Sequence, residues 1–210
     1  MKHRWKIPVS LCLILVLVLT AVSSAFAAPV SSVELRFNED GKFKIVQFAD
    51  CQDDMFPRKA MLELMAAALD AEQPDLVVFT GDNITGGGSP GSLLTSMAIK
   101  GIVTPVVERE IPFAVVFGNH DHESGVSKEK QLQMYQSYES CLAYDPVPEL
   151  TGCATYNLPI RSWDDTKDAF NLWMIDSNEY DRVNGGYDWV HEDQIDWYKT
   201  KSADIATANG

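Results

Sequence analysis

The chain is poor in histidine, with four in 210 residues, and poor in positive charge, with 17 lysines and arginines against 30 acids. The basic deficit argues against a nucleic-acid or anionic-membrane partner, because an acidic surface repels both. No glycine-rich loop carries a lysine, which excludes a P-loop nucleotide enzyme. No serine sits in a nucleophile elbow, which removes the common serine-hydrolase pattern. Cysteine is sparse, at four residues. The one long apolar run, 9–22, is broken only by Ser10 and Thr20 and falls short of the ~20 residues that a membrane-spanning helix needs.

That run has a different use. Lys2, His3, Arg4 and Lys6 precede it, and Ala25-Phe26-Ala27 closes it with small residues around a bulky one. Basic start, apolar middle and small-residue end read as a secretory signal peptide over residues 1–27, so the expected destination is extracellular or periplasmic, with no stable membrane anchor after cleavage. Removing it takes away three positive charges and no negative ones, moving the formal charge from −13 to −16. Cys51, Cys141 and Cys153 remain. In an oxidising compartment Cys141 and Cys153, which flank Pro146-Val147-Pro148, are the natural pair, worth roughly 2–3 kcal/mol by chain entropy. Cys51 is left as a buried thiol.

What the sequence does contain is one repeated grammar. Residues 43–49 alternate into a strand and end in Asp50-Cys51-Gln52-Asp53-Asp54. Residues 59–72 carry apolar side chains at helical spacing, and Pro74 stops them. Residues 76–80 form a second apolar run, ending in Gly81-Asp82-Asn83. A helix over 92–110, weakened at Gly101 and Pro105, leads to a third run at 113–117. Gly118-Asn119-His120-Asp121-His122 follows at once. Alternating strands and helices imply right-handed crossovers and a parallel sheet. Open α/β sheets place their ligands at the carboxyl ends of the strands. Any one polar turn there is ordinary, since turns favour Asn and Asp. Three on one edge make a site.

The chemistry of that edge is hard oxygen. Asp50 and Asp82 offer carboxylates, Asn119 and Gln52 offer amide oxygens, and no lysine or arginine lies within the three clusters. Clustered acids without cations hold either protons or metal. A two-metal hydrolytic centre fits them.

Asp50-Cys51-Gln52, Gly81-Asp82-Asn83 and Gly118-Asn119-His120-Asp121 resemble the first three motifs of the calcineurin-like metallophosphoesterases, in a branch related to the purple acid phosphatases. The resemblance covers roughly residues 40–200. It implies a four-layer α/β/β/α sandwich and hydrolysis of a small phosphorylated substrate, a mono- or diester, through two divalent or trivalent ions of Fe, Mn or Zn. It also implies roles. Asp50 binds one metal, Asp82 bridges both, and Asn119 binds the second. His120 protonates the leaving oxygen or stabilises the phosphoryl group, with Asp121 orienting its ring. Three departures accompany it. Gln52 stands where the family has a histidine, so the first metal is expected to be held less tightly. Thr85 stands where purple acid phosphatases have a tyrosine ligand. The family's two later histidine motifs have no counterpart; His122 and His191 lie in neither.

Two further strands are expected at 155–160 and 170–175, then a helix near 191–203, with the second sheet left incomplete. Residues 40–210 read as the N-terminal two-thirds of the family's domain. Two functions follow from different classes: a secreted metal-dependent phosphoesterase, or a truncated or inactive remnant acting at most as a binding module.

Overall fold

The structure, a computed structural model, describes residues 33–209; the expected signal peptide lies outside them. A central apolar run forms the middle of a three-stranded parallel sheet, ordered β1 (Ile45–Phe48), β2 (Leu76–Thr80) and β3 (Phe113–Val116). Leu76, Val77 and Phe79 are fully buried, as expected of a strand covered on both faces. A row of rings crosses the sheet. Phe79 lies 5.9 Å from Phe48 and 6.0 Å, edge to face, from Phe113.

The crossovers are helices. α1 (Lys59–Glu72) buries Met65 and Leu69, ends at Gln73 in the left-handed conformation, and cannot continue into Pro74. α2 (Gly91–Val107) is unbroken. Pro105 falls in its last turn, and the ladder continues past it from Glu108 N to Thr104 O (3.0 Å). Gly101 is required by packing: a Cβ there would come within 2.9 Å of Pro57. Arg109, just past α2, grips Asp70 of α1 through two bonds of 2.7 and 2.8 Å.

A short helix, α3 (Lys128–Tyr135), follows a turn of 3-10 helix at Asp121–Ser124. Its apolar signal is thin, because only Leu132 and Tyr135 of its buried positions are apolar while Lys128 and Gln131 are polar. Gln131 is fully buried and donates to Asp121 O (2.7 Å) and Val126 O (3.0 Å). Lys128 is buried against both oxygens of Asp176 at 3.0 Å. The capping oxygen of Ser127, which accepts from Lys130 N, is the local signal for its start.

The second sheet pairs β4 (Tyr156–Arg161) with β5 (Asp168–Met174) antiparallel, and residues 35–37 add a short parallel contact to Arg161. Its inner face shares one core with the first sheet through Tyr156, Leu158, Ile160 and Met174. Tyr156 is the joint between them. Its hydroxyl donates to Val115 O (2.8 Å) and accepts from Val115 N (3.1 Å), satisfying edge groups of β3. α4 (Glu192–Asn209) packs Trp197 and Tyr198 edge-on against Trp173 of β5, and Asn209 ties its end to Asp168. The result is the mixed α/β architecture expected of a metallophosphoesterase.

The cysteine pairing is corrected. Cys51, Cys141 and Cys153 are all free and buried. Cys141 lies beside the outer edge of β3, bridged in backbone to Phe113, whereas Cys153 sits by Asp176 at the end of β5. Burial pushes the thiol of Cys51 up to about 11 and that of Cys141 up to about 12, so neither is a ready nucleophile.

Candidate active site

The pairing register brings the polar clusters level. Phe48 pairs with Phe79 and Thr80 with Val116, so Asp50 meets Gly81 and Asp82 meets Gly118. Beyond the last strand pairs the backbone turns sharply. Asp50, Gln52 and Asp82 all adopt positive φ, at 51°, 42° and 48°. For residues with a Cβ this costs roughly 1–3 kcal/mol each. The surrounding bonds hold it: Asp50 N to Gly81 O (3.2 Å), Gln52 N to Asp82 O (2.9 Å) and Thr85 N to Asp53 O (2.7 Å). Thr85, where the purple acid phosphatases carry a metal-binding tyrosine, instead donates its hydroxyl to Gln52 O at 2.7 Å. Arg58 straps the same loop through Cys51 O and Gln52 O, with its own N bonded to buried Asp53.

Asp82 is set by close approach. Its Oδ1 accepts from His120 N at 2.9 Å. Gly118 lies so near that a Cβ there would overlap Asp82 N and Oδ1 and sit 2.8 Å from Cγ.

Asp121 does not orient His120, contrary to expectation. It is fully buried, and its two oxygens accept from three backbone amides: Asn83 N (3.0 Å), Ile84 N (3.1 Å) and Gly118 N (2.7 Å). It locks the second and third motif loops together. Burial pushes its carboxyl up to about 7, against the pull of those amides. The partner of His120 is Glu123, one turn on, at 3.0 Å from Nδ1. That hydrogen bond raises the imidazole pKa and lowers that of Glu123. His122 is not free in solvent. Its Nδ1 lies 2.7 Å from Asn119 O, and its Nε2 lies 3.3 Å from Glu179.

Asp50, Asp82 and Asn119 line one cavity of about 260 Å³ at the carboxyl edge of the sheet. Gln52, expected as a fourth donor, does not line it; its side chain is exposed beside it. The opposite wall was not foreseen. Residues 179–188 form a small hairpin in which Tyr180 and Tyr187 bridge and stack at 5.8 Å. Asp181 caps its turn through Val183 N, Asn184 N and the Asn184 amide. Gly185 and Gly186 take positive φ at 78° and 88°. Asn178, Glu179, Tyr187 and Asp188 face the cavity from this side. Asn184-Gly185 between two tyrosines was the available sequence signal, since Asn-Gly favours hairpin turns. A larger cavity of about 850 Å³ adjoins the first and shares Asn178, Glu179 and Asp188 with it.

The donor set suits a hard cation. The Asp50 carboxylate pairs with no side chain among the described residues, and no lysine or arginine reaches Asp82. Uncompensated carboxylates facing one cavity are stabilised by a divalent ion. Yet among the described residues no three His, Cys, Asp or Glu side chains form a metal-binding group.

Fold and site together define an α/β protein with an oxygen-rich cavity at the carboxyl ends of parallel strands. Residues 43–207 match the profile of the Calcineurin-like phosphoesterase family, and the chain belongs to that family. Among curated proteins it is 31% identical over 195 residues to "Probable inactive purple acid phosphatase 29" of Arabidopsis thaliana, covering 80% of this chain and 49% of that one. It is 30% identical to "Probable inactive purple acid phosphatase 14" of the same plant, at the same coverage. It is 33% identical to "Phosphatase DCR2" of Saccharomyces cerevisiae, covering 76% of this chain and 31% of that one. The chain thus spans about half the length of the two plant relatives and about a third of the yeast one. No helix among the described residues is long and apolar enough to cross a membrane.

Proposed function

We propose that the protein is a secreted metal-dependent phosphoesterase acting on small phosphate mono- or diesters, its site built on Asp50, Asp82 and Asn119. One observation carries this reading: three oxygen donors from three strand ends converge on one cavity, and among the described residues no side-chain cation compensates the acids. Metal ions held by Asp50, Asp82 and Asn119 would supply Lewis-acid activation of the phosphoryl group and of the attacking water. Asp82, at the centre of the edge, would be the donor shared by both ions. His120 works as the general acid. Glu123 engages Nδ1 and raises the imidazole pKa, which favours the protonated ring and leaves Nε2 as the atom to give a proton to the leaving oxygen. Secretion rests on the residue 1–27 pattern, and the acidic charge favours a small substrate over nucleic acid.

A second reading, a cation-binding remnant without turnover, is favoured by the lack of a three-residue His/Cys/Asp/Glu group among the described residues. The names of the two plant relatives point the same way. The experiment is metal analysis of the wild-type chain and Asp82→Asn after gel filtration. Hydrolysis of a chromogenic monoester and diester is measured alongside with manganese, zinc or iron, and His120→Ala is the control. Cation bound by wild type and lost in Asp82→Asn supports the site. Unchanged stoichiometry sinks it. Turnover that vanishes in His120→Ala selects the enzyme; binding without turnover selects the remnant.

A further inference from the structure

We infer that Tyr180 is a positioning residue for Asn119, deciding which end of its amide faces the cation cavity. This rests on the reading of Asn119 as a cation donor. An asparagine amide has an NH₂ end that only donates and an oxygen end that only accepts, and a cation can use the oxygen alone. Something must turn the NH₂ away.

Tyr180 does so by proton logic. Its hydroxyl lies 2.8 Å from Asn119 Nδ2 and 3.3 Å from Glu123 Oε1. Glu123 is ion-paired with His120 and, as a carboxylate, can only accept. The single hydroxyl proton of Tyr180 therefore goes to Glu123, and its lone pair receives the Asn119 NH₂. The flipped amide would set Oδ1 against the hydroxyl oxygen with no proton between them. Both ends of the bond are held. Asn119 O lies 2.7 Å from His122 Nδ1. The Tyr180 ring stacks on Tyr187 and meets His122 edge-on at 5.9 Å. One hydroxyl on the hairpin thus sets the Asn119 donor and touches the carboxylate that serves His120.

The test is a double-mutant cycle on the full chain, with Mn²⁺ alone as the probe and free Mn²⁺ read by electron paramagnetic resonance. Tyr180→Phe keeps the ring and its stacking and removes only the hydroxyl. Partners that orient metal ligands are worth 10–100-fold in affinity, and this half-exposed bond belongs at about tenfold. In Asn119→Asp either oxygen can face the cavity, so the same substitution should cost under about twofold there. Equal losses in both backgrounds would overturn the inference. So would no loss in Tyr180→Phe while Asp82→Asn still abolishes binding; in that case the cation site stands and Tyr180 falls. If Asp82→Asn leaves Mn²⁺ binding intact, the site reading itself fails. Tyr180 is judged separately by the Asn119 side-chain amide protons in metal-free protein. Slow solvent exchange in wild type that becomes fast in Tyr180→Phe supports its hold on Asn119, and identical exchange overturns it.

Discussion

Gly118→Ala puts the close approach of two motif loops to a direct test. The new Cβ would overlap Asp82 N and Oδ1 and stand 2.8 Å from Cγ. Asp82 cannot retreat freely. Its carbonyl accepts from Gln52 N at 2.9 Å, and its carboxylate accepts from His120 N at 2.9 Å. From the other side, Gly81 is itself so close to Gly118 that a Cβ on Gly81 would lie 3.0 Å from Gly118 N. Relief must come from backbone displacement, which places the cost at the upper end of overpacking, about 3 kcal/mol. At 2–4 °C per kcal/mol for a domain of this size, Tm should fall by roughly 6–12 °C. On the proposed function, displacing Asp82 also removes a cation donor, so Mn²⁺ binding should go with it. The assay is thermal unfolding by circular dichroism in chelator, with Gly87→Ala as control. A methyl group on Gly87 would meet nothing within 4 Å, so that change should stay within ~0.5 kcal/mol. A Gly118→Ala protein that melts within about 1 °C of the control would refute the contact as drawn.

The other predictions concern the two-sheet joint and the thiols. Tyr156→Phe leaves Val115 N–H and C=O buried without partners, and should cost ~1–3 kcal/mol in chemical denaturation. Burial raises the pKa of Tyr156 and Tyr135 well above the ordinary value, so the unfolded chain releases those protons first. Their contribution is full below the ordinary tyrosine pKa of ~10 and is lost as pH rises above it; Tyr156→Phe should flatten that alkaline decline, and an unchanged slope would tell against it. Peptide mapping without reduction should find Cys51, Cys141 and Cys153 unbridged, slow to react when folded and all reactive when unfolded. A Cys141–Cys153 cross-linked peptide would contradict this.

The residues alone determined the strand-helix grammar and the sheet edge on which the polar clusters gather. Helix 59–72 and strand 76–80 are read directly from apolar spacing bounded by Pro74 and Gly81, because hydrophobic period and chain breakers are local properties. Asp50, Asp82 and Asn119 follow from the rule that parallel strands present their carboxyl ends together. Other features lie beyond local reading. α3 buries Gln131 and Lys128 against partners 10 and 48 residues away, so two of its four buried positions are polar and only Leu132 and Tyr135 carry an apolar signal. Glu123 stands in place of Asp121 as the partner of His120 because two distant backbone amides, Asn83 and Ile84, together with the nearby amide of Gly118, claim the Asp121 carboxylate. Cys141 and Cys153, near in sequence, stay apart because one is carried to the edge of β3 and the other to Asp176. Tyr180 meets Asn119 across 61 residues only once the hairpin has folded over the strand ends. Sequence spacing fixes which side chains share an element; which of them share a hydrogen bond is decided by the packing of one element on another.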